Sequence, residues 1–259
     1  MKAQIYIGTS GWHYDDWIGL FYPKEVTGYN ELRYHAEHFN SVENNSSFYR
    51  IARESTYKTW DKMTPDQYKF SIKLNKLITH IQRLEVNDVV REKVKYILST
   101  TQVLRDKLGA IVIQLPPHFK YDLERLQTFL SFFTAEVKNQ RYQFDIAIEF
   151  RNKNWFTDDV YKILEKNNTG LVAGQSSRYP LMRRVTADVA YIRMHGPEEL
   201  FASKYTAEQL AEWAAYIRSI TPHVKRVYVY FNNDFHGYAL ENAKELQAML
   251  SKNEENMIQ

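Results

Sequence analysis

The chain repeats one unit eight times, a short β-rich run followed in most cases by a stretch of helical periodicity. The runs are Gln4–Gly8, Ser41–Asn45, Tyr68–Lys73, Ala110–Gln114, Phe144–Arg151, Thr169–Gly174, Val189–His195 and Arg226–Asn232. The helical stretches include Tyr29–Phe39, Asp88–Lys107, Leu123–Phe133, Asp158–Lys166, Ala207–Ile220 and Ala239–Leu250. Strand followed by helix, repeated, makes right-handed βαβ units and a parallel sheet. Eight units in 259 residues suit one α/β domain, a TIM-type (β/α)8 barrel with parallel strands, irregular or partly open in places. The alternative is an open doubly wound sheet, which carries a Gly-rich phosphate turn after its first strand. Gly8-Thr9-Ser10-Gly11-Trp12 is not that turn. The barrel is expected over residues 1–250, with a polar tail over 251–259 (SKNEENMIQ).

Composition narrows the chemistry. The chain has no Cys, which excludes disulfides, thiolate nucleophiles and Cys–zinc sites. A formal net charge of +3 permits an anionic ligand without demanding nucleic acid. The start, MKAQIYIGTSGW, is too short and polar for a signal peptide, and no run of about 18 apolar residues exists to span a membrane. A soluble, cytoplasmic protein with no membrane partner is expected, and no feature speaks to oligomeric state. Nineteen tyrosines supply large side chains with polar tips, suited to a barrel wall or pocket rim.

Strand side chains alternate between two faces. In Phe144–Arg151, Ile146, Ile148 and Phe150 share one face, and Ala147, Glu149 and Arg151 the other. In Val189–His195, Tyr191, Arg193 and His195 share a face. In Arg226–Asn232, Tyr228, Tyr230 and Asn232 do. Glu43 and Asn45 share parity, as do Ser71 and Lys73, and Gln114 ends the fourth run. In a barrel the apolar face meets the helices and the other faces the axis. The last polar residues then open on the carboxyl-terminal mouth, where barrel enzymes keep their chemistry. Glu43, Lys73, Gln114, Glu149, Arg151, Arg193, His195 and Asn232 are thereby expected at one mouth. The competing reading is a plug of ion pairs. Such pairs contribute little net stability, and Leu or Val would serve a plug better.

Further candidates lie in the connections. Trp12 and Tyr49 could wall the mouth, and His80 follows the third strand. Asn232-Asn233-Asp234 and Asn242 suggest amide hydrogen bonds to a ligand, against the capping and turn roles that Asn and Asp also take. The Gly8–Trp12 segment is balanced between a close backbone approach to a ligand and an ordinary turn. Glu43, Glu149, His195 and Asp234 could together ligate a divalent metal. Lys73, Arg151 and Arg193 at the same mouth argue instead for an anion, so no cofactor is expected.

Several long motifs are familiar: IGTSGWHYDDWIGLFYP (7–23), VENNSSFYR (42–50), KFSIKLNKLITH (69–80), LGAIVIQLPPHF (108–119), IEFRNKNW (148–155), YIRMHGP (191–197) and VYFNNDFHGYALENA (229–243). In this order they make the chain resemble the YecE-like family, number seventy-two among domains of unknown function. The resemblance covers Ile7 to about Leu250. It implies a TIM-barrel relative and no particular reaction. Asn44 stands where the family has an aliphatic residue and Ser47 where it has Thr. Gln175-Ser176 stands where it commonly has Asp-Ser. If that Asp ligates a metal or acts as a base in relatives, this chain departs from their chemistry.

The leading expectation is an enzyme acting on an anionic, phosphate-bearing substrate, with phosphoester hydrolysis the first version to test. Lys73, Arg151 and Arg193 would hold the anion. Glu149 or Glu43 would be general base and His195 general acid or its partner. Gln114, Asn232, His80 and Asn242 would orient the substrate, and Trp12 and Tyr49 would wall it. A binding module for a nucleotide or single-stranded nucleic acid, stacking bases on Trp12, Trp17 and nearby Tyr, is the second reading. A glycoside hydrolase with Glu43 and Glu149 about 5–10 Å apart is the third.

Overall fold

A computed structural model describes residues 3–255. Eight parallel strands close a barrel in chain order, with the eighth paired to the first. They are β1 (Gln4–Ser10), β2 (Ser41–Asn44), β3 (Lys69–Lys73), β4 (Leu108–Gln114), β5 (Asp145–Glu149), β6 (Thr169–Gln175), β7 (Val189–Met194) and β8 (Arg226–Phe231). Around them lie α1 (Tyr29–His38), α2 (Ser46–Tyr49), α3 (Glu54–Met63), α4 (Asp88–Thr101), α5 (Leu123–Asn139), α6 (Asp158–Lys166), α7 (Ala207–Ile220) and α8 (Tyr238–Glu255). No helix of the described residues is long and apolar enough to cross a membrane.

Local sequence explains the helix starts. Asn87, Asp122, Thr157 and Thr206 each accept a hydrogen bond from a backbone N–H of the turn that follows. Thr206 and Gln209 form a reciprocal capping box. Each cap takes up an N–H that the helix leaves orphaned. Helix α8 runs through the first five residues of the expected tail, and residues 256–259 lie outside the described residues. The expected helix Asp88–Lys107 divides into α4 and a 3-10 segment, Gln102–Lys107.

The parity expectation holds around the barrel. Ile111, Ile113, Ile146 and Ile148 pack into the layer between strands and helices. Tyr6, Ala110, Val112, Ala147, Val172, Val189, Tyr191, Tyr228 and Tyr230 form a separate cluster inside the barrel. Four tyrosines thus fill the axis, and their hydroxyls need partners there. Tyr230 meets Ser41 at 2.6 Å, Tyr191 meets Ser71 at 2.6 Å, and Tyr228 donates to Asp145 at 3.1 Å. A Cβ on Gly8 would lie 1.8 Å from the Ser41 carbonyl oxygen, so only glycine lets β1 approach β2.

One connection departs from the regular barrel. Residues 176–188, between β6 and β7, form no helix. Two arginines bridge the missing layer. The Arg183 guanidinium lies 4.1 Å from the Trp213 ring of α7, and that of Arg184 lies 4.2 Å from the Tyr161 ring of α6. Thr186 ties the strap down, donating to the Thr169 carbonyl at 2.7 Å and accepting from the Leu171 N–H at 2.9 Å.

Candidate functional site at the carboxyl mouth

Arg193 organises the mouth. It is 1% exposed, and β7 parity aims it along the axis above Tyr191. Its Nε and Nη2 donate to Glu43 of β2, at 3.0 Å to Oε2 and 2.7 Å to Oε1. Its Nη1 donates to Oε2 of Glu149 on β5 at 2.5 Å. Arg151 approaches Glu149 from the other side, Nε to Oε1 at 2.8 Å. Burial opposes the charge of Arg193, but the two carboxylates outweigh it and raise its pKa above the ordinary range. Burial likewise pushes Glu43 up, and Arg193 more than reverses this, so Glu43 lies below the usual carboxylate range. Glu149 is driven well below that range, chiefly by Arg151 and then Arg193, against burial.

Glu43 is saturated. Ser10 donates to it at 2.9 Å, Asn45 at 3.2 Å and Tyr191 at 2.6 Å, besides the arginine. A carboxylate offers about four lone-pair directions, so none is left for a substrate proton. The general-base role expected of Glu43 is therefore corrected to that of a positioning carboxylate. The anion-holding role expected of Arg193 is corrected as well, because its three nitrogens are spent on carboxylates. One guanidinium bridges Glu43 and Glu149, so Arg193 occupies the space between the two carboxylates.

Lys73 stands apart from this network. It ends β3, facing inward and partly buried. Its Nζ lies 4.3 Å from the Phe48 ring centre and makes no hydrogen bond or ion pair among the described residues. Burial and the neighbouring Arg193 lower its pKa to about 7. His80 shares Phe48, with ring centres 4.8 Å apart, and meets Thr79 at 2.9 Å through Nδ1. Burial and Lys73 lower His80 to about 4.

His195 is 1% exposed. Its Nδ1 meets the Asn232 amide at 3.0 Å, while its Nε2 has no hydrogen-bond partner and lies 3.9 Å from Glu149 Oε1. Burial, reinforced by Arg193, drives its pKa well below the ordinary value, so the ring is neutral. Asp234, in the β8 loop, also has an unpartnered buried oxygen, and burial raises its pKa to about 8. Gln114 is buried and donates to the Leu115 carbonyl at 2.7 Å.

Other expected residues fall elsewhere. Asn242 is wholly buried in α8, accepting from the Tyr205 N–H at 3.0 Å and donating to the Tyr205 carbonyl at 3.0 Å, so it holds a loop and not a ligand. Trp12 meets Trp60 of α3 edge-on at 5.0 Å and packs on the helical layer. Trp17 is fully buried, which removes it as a stacking platform. Tyr49 is 70% exposed beside Lys76. Gly11 takes a left-handed turn, φ 102°, and donates to the Glu43 carbonyl at 2.8 Å, so the Gly8–Trp12 segment serves the fold. Gln175 points to the outer side, its Oε1 bonded to the Tyr205 hydroxyl, while Gly174 faces Glu149.

Sequence reasoning missed several partners. Ser10 follows the β1 parity and becomes legible once the strand is extended by two residues. Phe48 under Lys73 and Tyr179, 4.3 Å from the Arg151 guanidinium, lie in connections without periodicity. Glu43, Glu149, His195 and Asp234 do not converge on a metal position, and among the described residues no three such side chains do. A cleft of about 610 Å³ lies elsewhere, between β1 and α8, lined by Ile5, Ile7, Asn40, Gln247 and neighbours. It carries no charged group and none of this chemistry.

A family model described as "Protein of unknown function DUF72" matches residues 6–259. The UPF0759 protein YunF of Bacillus subtilis is 26% identical over 274 residues, covering 95% of this chain and 94% of its own length. The UPF0759 protein YecE of Escherichia coli is 29% identical over 154 residues, covering 59% of this chain and 50% of its own. The crystal structure of a DUF72 family protein from Thermotoga maritima superposes with a TM-score of 0.82 at 25% identity, covering 96% of this chain and 99% of that one.

Proposed function

The chain belongs to the DUF72 family, and from that footing we propose that it is an enzyme acting on an anionic, phosphate-bearing small molecule at the mouth of its barrel. One observation carries this reading. Three cations, Lys73, Arg151 and Arg193, face two carboxylates, Glu43 and Glu149, and both carboxylates are committed to the arginines. Lys73 is the uncompensated charge. Arg151 uses only Nε on Glu149, and its Nη groups make no hydrogen bond among the described residues. A phosphate on those Nη groups would balance the mouth through charge-assisted bonds.

Phosphoester hydrolysis requires a base able to take a proton from water. Glu43 is saturated and Glu149 is strongly acidic. Lys73, lowered to about 7, has a basicity that matches neutral pH, as a general base requires. Arg151 therefore anchors the anion and Lys73 does the reactive work, with His195 and Asn232 beside them.

Calorimetry with inorganic phosphate tests this. Binding that is weakened at least tenfold in Arg151→Met is expected. No binding at millimolar phosphate, or equal binding by that variant, would sink the reading. A screen for turnover of phosphorylated metabolites then separates an enzyme from a nucleotide-binding module.

A further inference from the structure

We infer that Lys73 is a covalent nucleophile that forms an imine with the carbonyl group of an anionic aldehyde or ketone. This deepens the proposed function and rests on it for the seat of the anion at Arg151. The geometry comes first. Lys73 ends an inward-facing strand position on a rigid barrel, which fixes its amine at the mouth. Its Nζ meets an aromatic face and no carboxylate. A lysine kept only for charge would take one of the two glutamates nearby, but Arg193 and Arg151 have taken both. An amine buried beside Arg193 and Arg151 is disfavoured as ammonium, and it is the neutral form that attacks carbonyl carbon. The lowered pKa agrees with this.

The step balances without an added oxidant or reductant. The neutral amine forms a C–N bond to the carbonyl carbon, and the carbonyl oxygen takes up a proton originally on nitrogen. The carbinolamine then loses its hydroxyl with a second proton as water, leaving C=N. His195 is neutral, buried and unengaged at Nε2. Its Nε2 is free to relay those protons. The ligand class is thus a carbonyl compound carrying phosphate or a comparable anion.

Reductive trapping tests the inference on the intact protein. The protein is incubated at pH 7 with glyceraldehyde 3-phosphate or unphosphorylated glyceraldehyde, reduced with sodium cyanoborohydride, and mapped by peptide mass spectrometry. Lys76, exposed three residues away, is the internal reference. The expected result is modification of Lys73 at least tenfold faster than Lys76 with the phosphorylated aldehyde, slowed by added inorganic phosphate. Labelling of Lys73 no faster than Lys76 with both aldehydes overturns the inference, even if phosphate binds by calorimetry. Selective labelling of Lys73 that is equal for both aldehydes and indifferent to phosphate keeps the nucleophile and overturns the anion seat at Arg151. No variant is needed for this comparison, so a failure to fold cannot mask the outcome.

Discussion

Arg193 grips Glu43 with two nitrogens, Nε at 3.0 Å and Nη2 at 2.7 Å, on side chains that are 1% and 0% exposed. The guanidinium reaches from β7 across the axis to β2, so this contact ties together two strands that are not neighbours in the sheet. Removing one partner leaves an uncompensated buried charge. Glu43→Gln is expected to destabilise the fold by about 3–5 kcal/mol in urea unfolding. A loss below about 1 kcal/mol, the range of surface pairs, would contradict the contact.

Lys73 has the opposite balance. Its folded pKa, about 7, lies below the unfolded value of about 10.4. Between those values the unfolded chain binds the extra proton, so wild-type stability rises with pH. Lys73→Met removes this cost and is expected to gain about 1–2 kcal/mol at pH 7, with the difference shrinking towards pH 10. Unfolding curves at both pH values check this. A destabilised variant would show that the lysine is structural.

Anion binding should be coupled to the same proton. A bound phosphate raises the Lys73 pKa from about 7, so binding takes up a proton above neutrality. Affinity should then fall as pH rises beyond 7, by up to about tenfold per unit. Calorimetry in buffers of different ionisation enthalpy reads the proton directly. Constant affinity from pH 6.5 to 8.5 would argue against Lys73 sensing the anion.

Asn242 provides the contrasting case. Its amide holds the Tyr205 backbone through both N–H and carbonyl. Asn242→Ala leaves these groups unsatisfied and should cost about 1–3 kcal/mol of stability. Phosphate affinity should stay within twofold of wild type. A selective loss of affinity with stability intact would return Asn242 to the site.

The barrel and the composition of its mouth are legible in the sequence. Strand alternation has a period of two, so a run such as Val189–His195 declares which side chains share a face without reference to its neighbours. Eight such runs with helical spacers admit few topologies. Glu43, Lys73, Glu149, Arg151, Arg193 and His195 were placed by that arithmetic alone. The helix-free strap at 176–188 was not, because its arginines are ordered by rings on α6 and α7, distant in sequence from the strap.

What parity cannot decide is which charges pair. Three cations and two carboxylates on one face admit several pairings, and the choice depends on distances across the barrel axis. Tertiary structure gives Glu43 to Arg193, divides Glu149 between Arg193 and Arg151, and leaves Lys73 without a carboxylate. It likewise withdraws Asn242 and Trp17, whose surroundings are set by packing between helices and loops far apart in the chain. The sequence by itself determined the barrel and the residues that meet at its mouth, because backbone periodicity is local. Only the closed fold decided which are spent on holding one another and which remain free for a ligand, because electrostatic pairing acts through space.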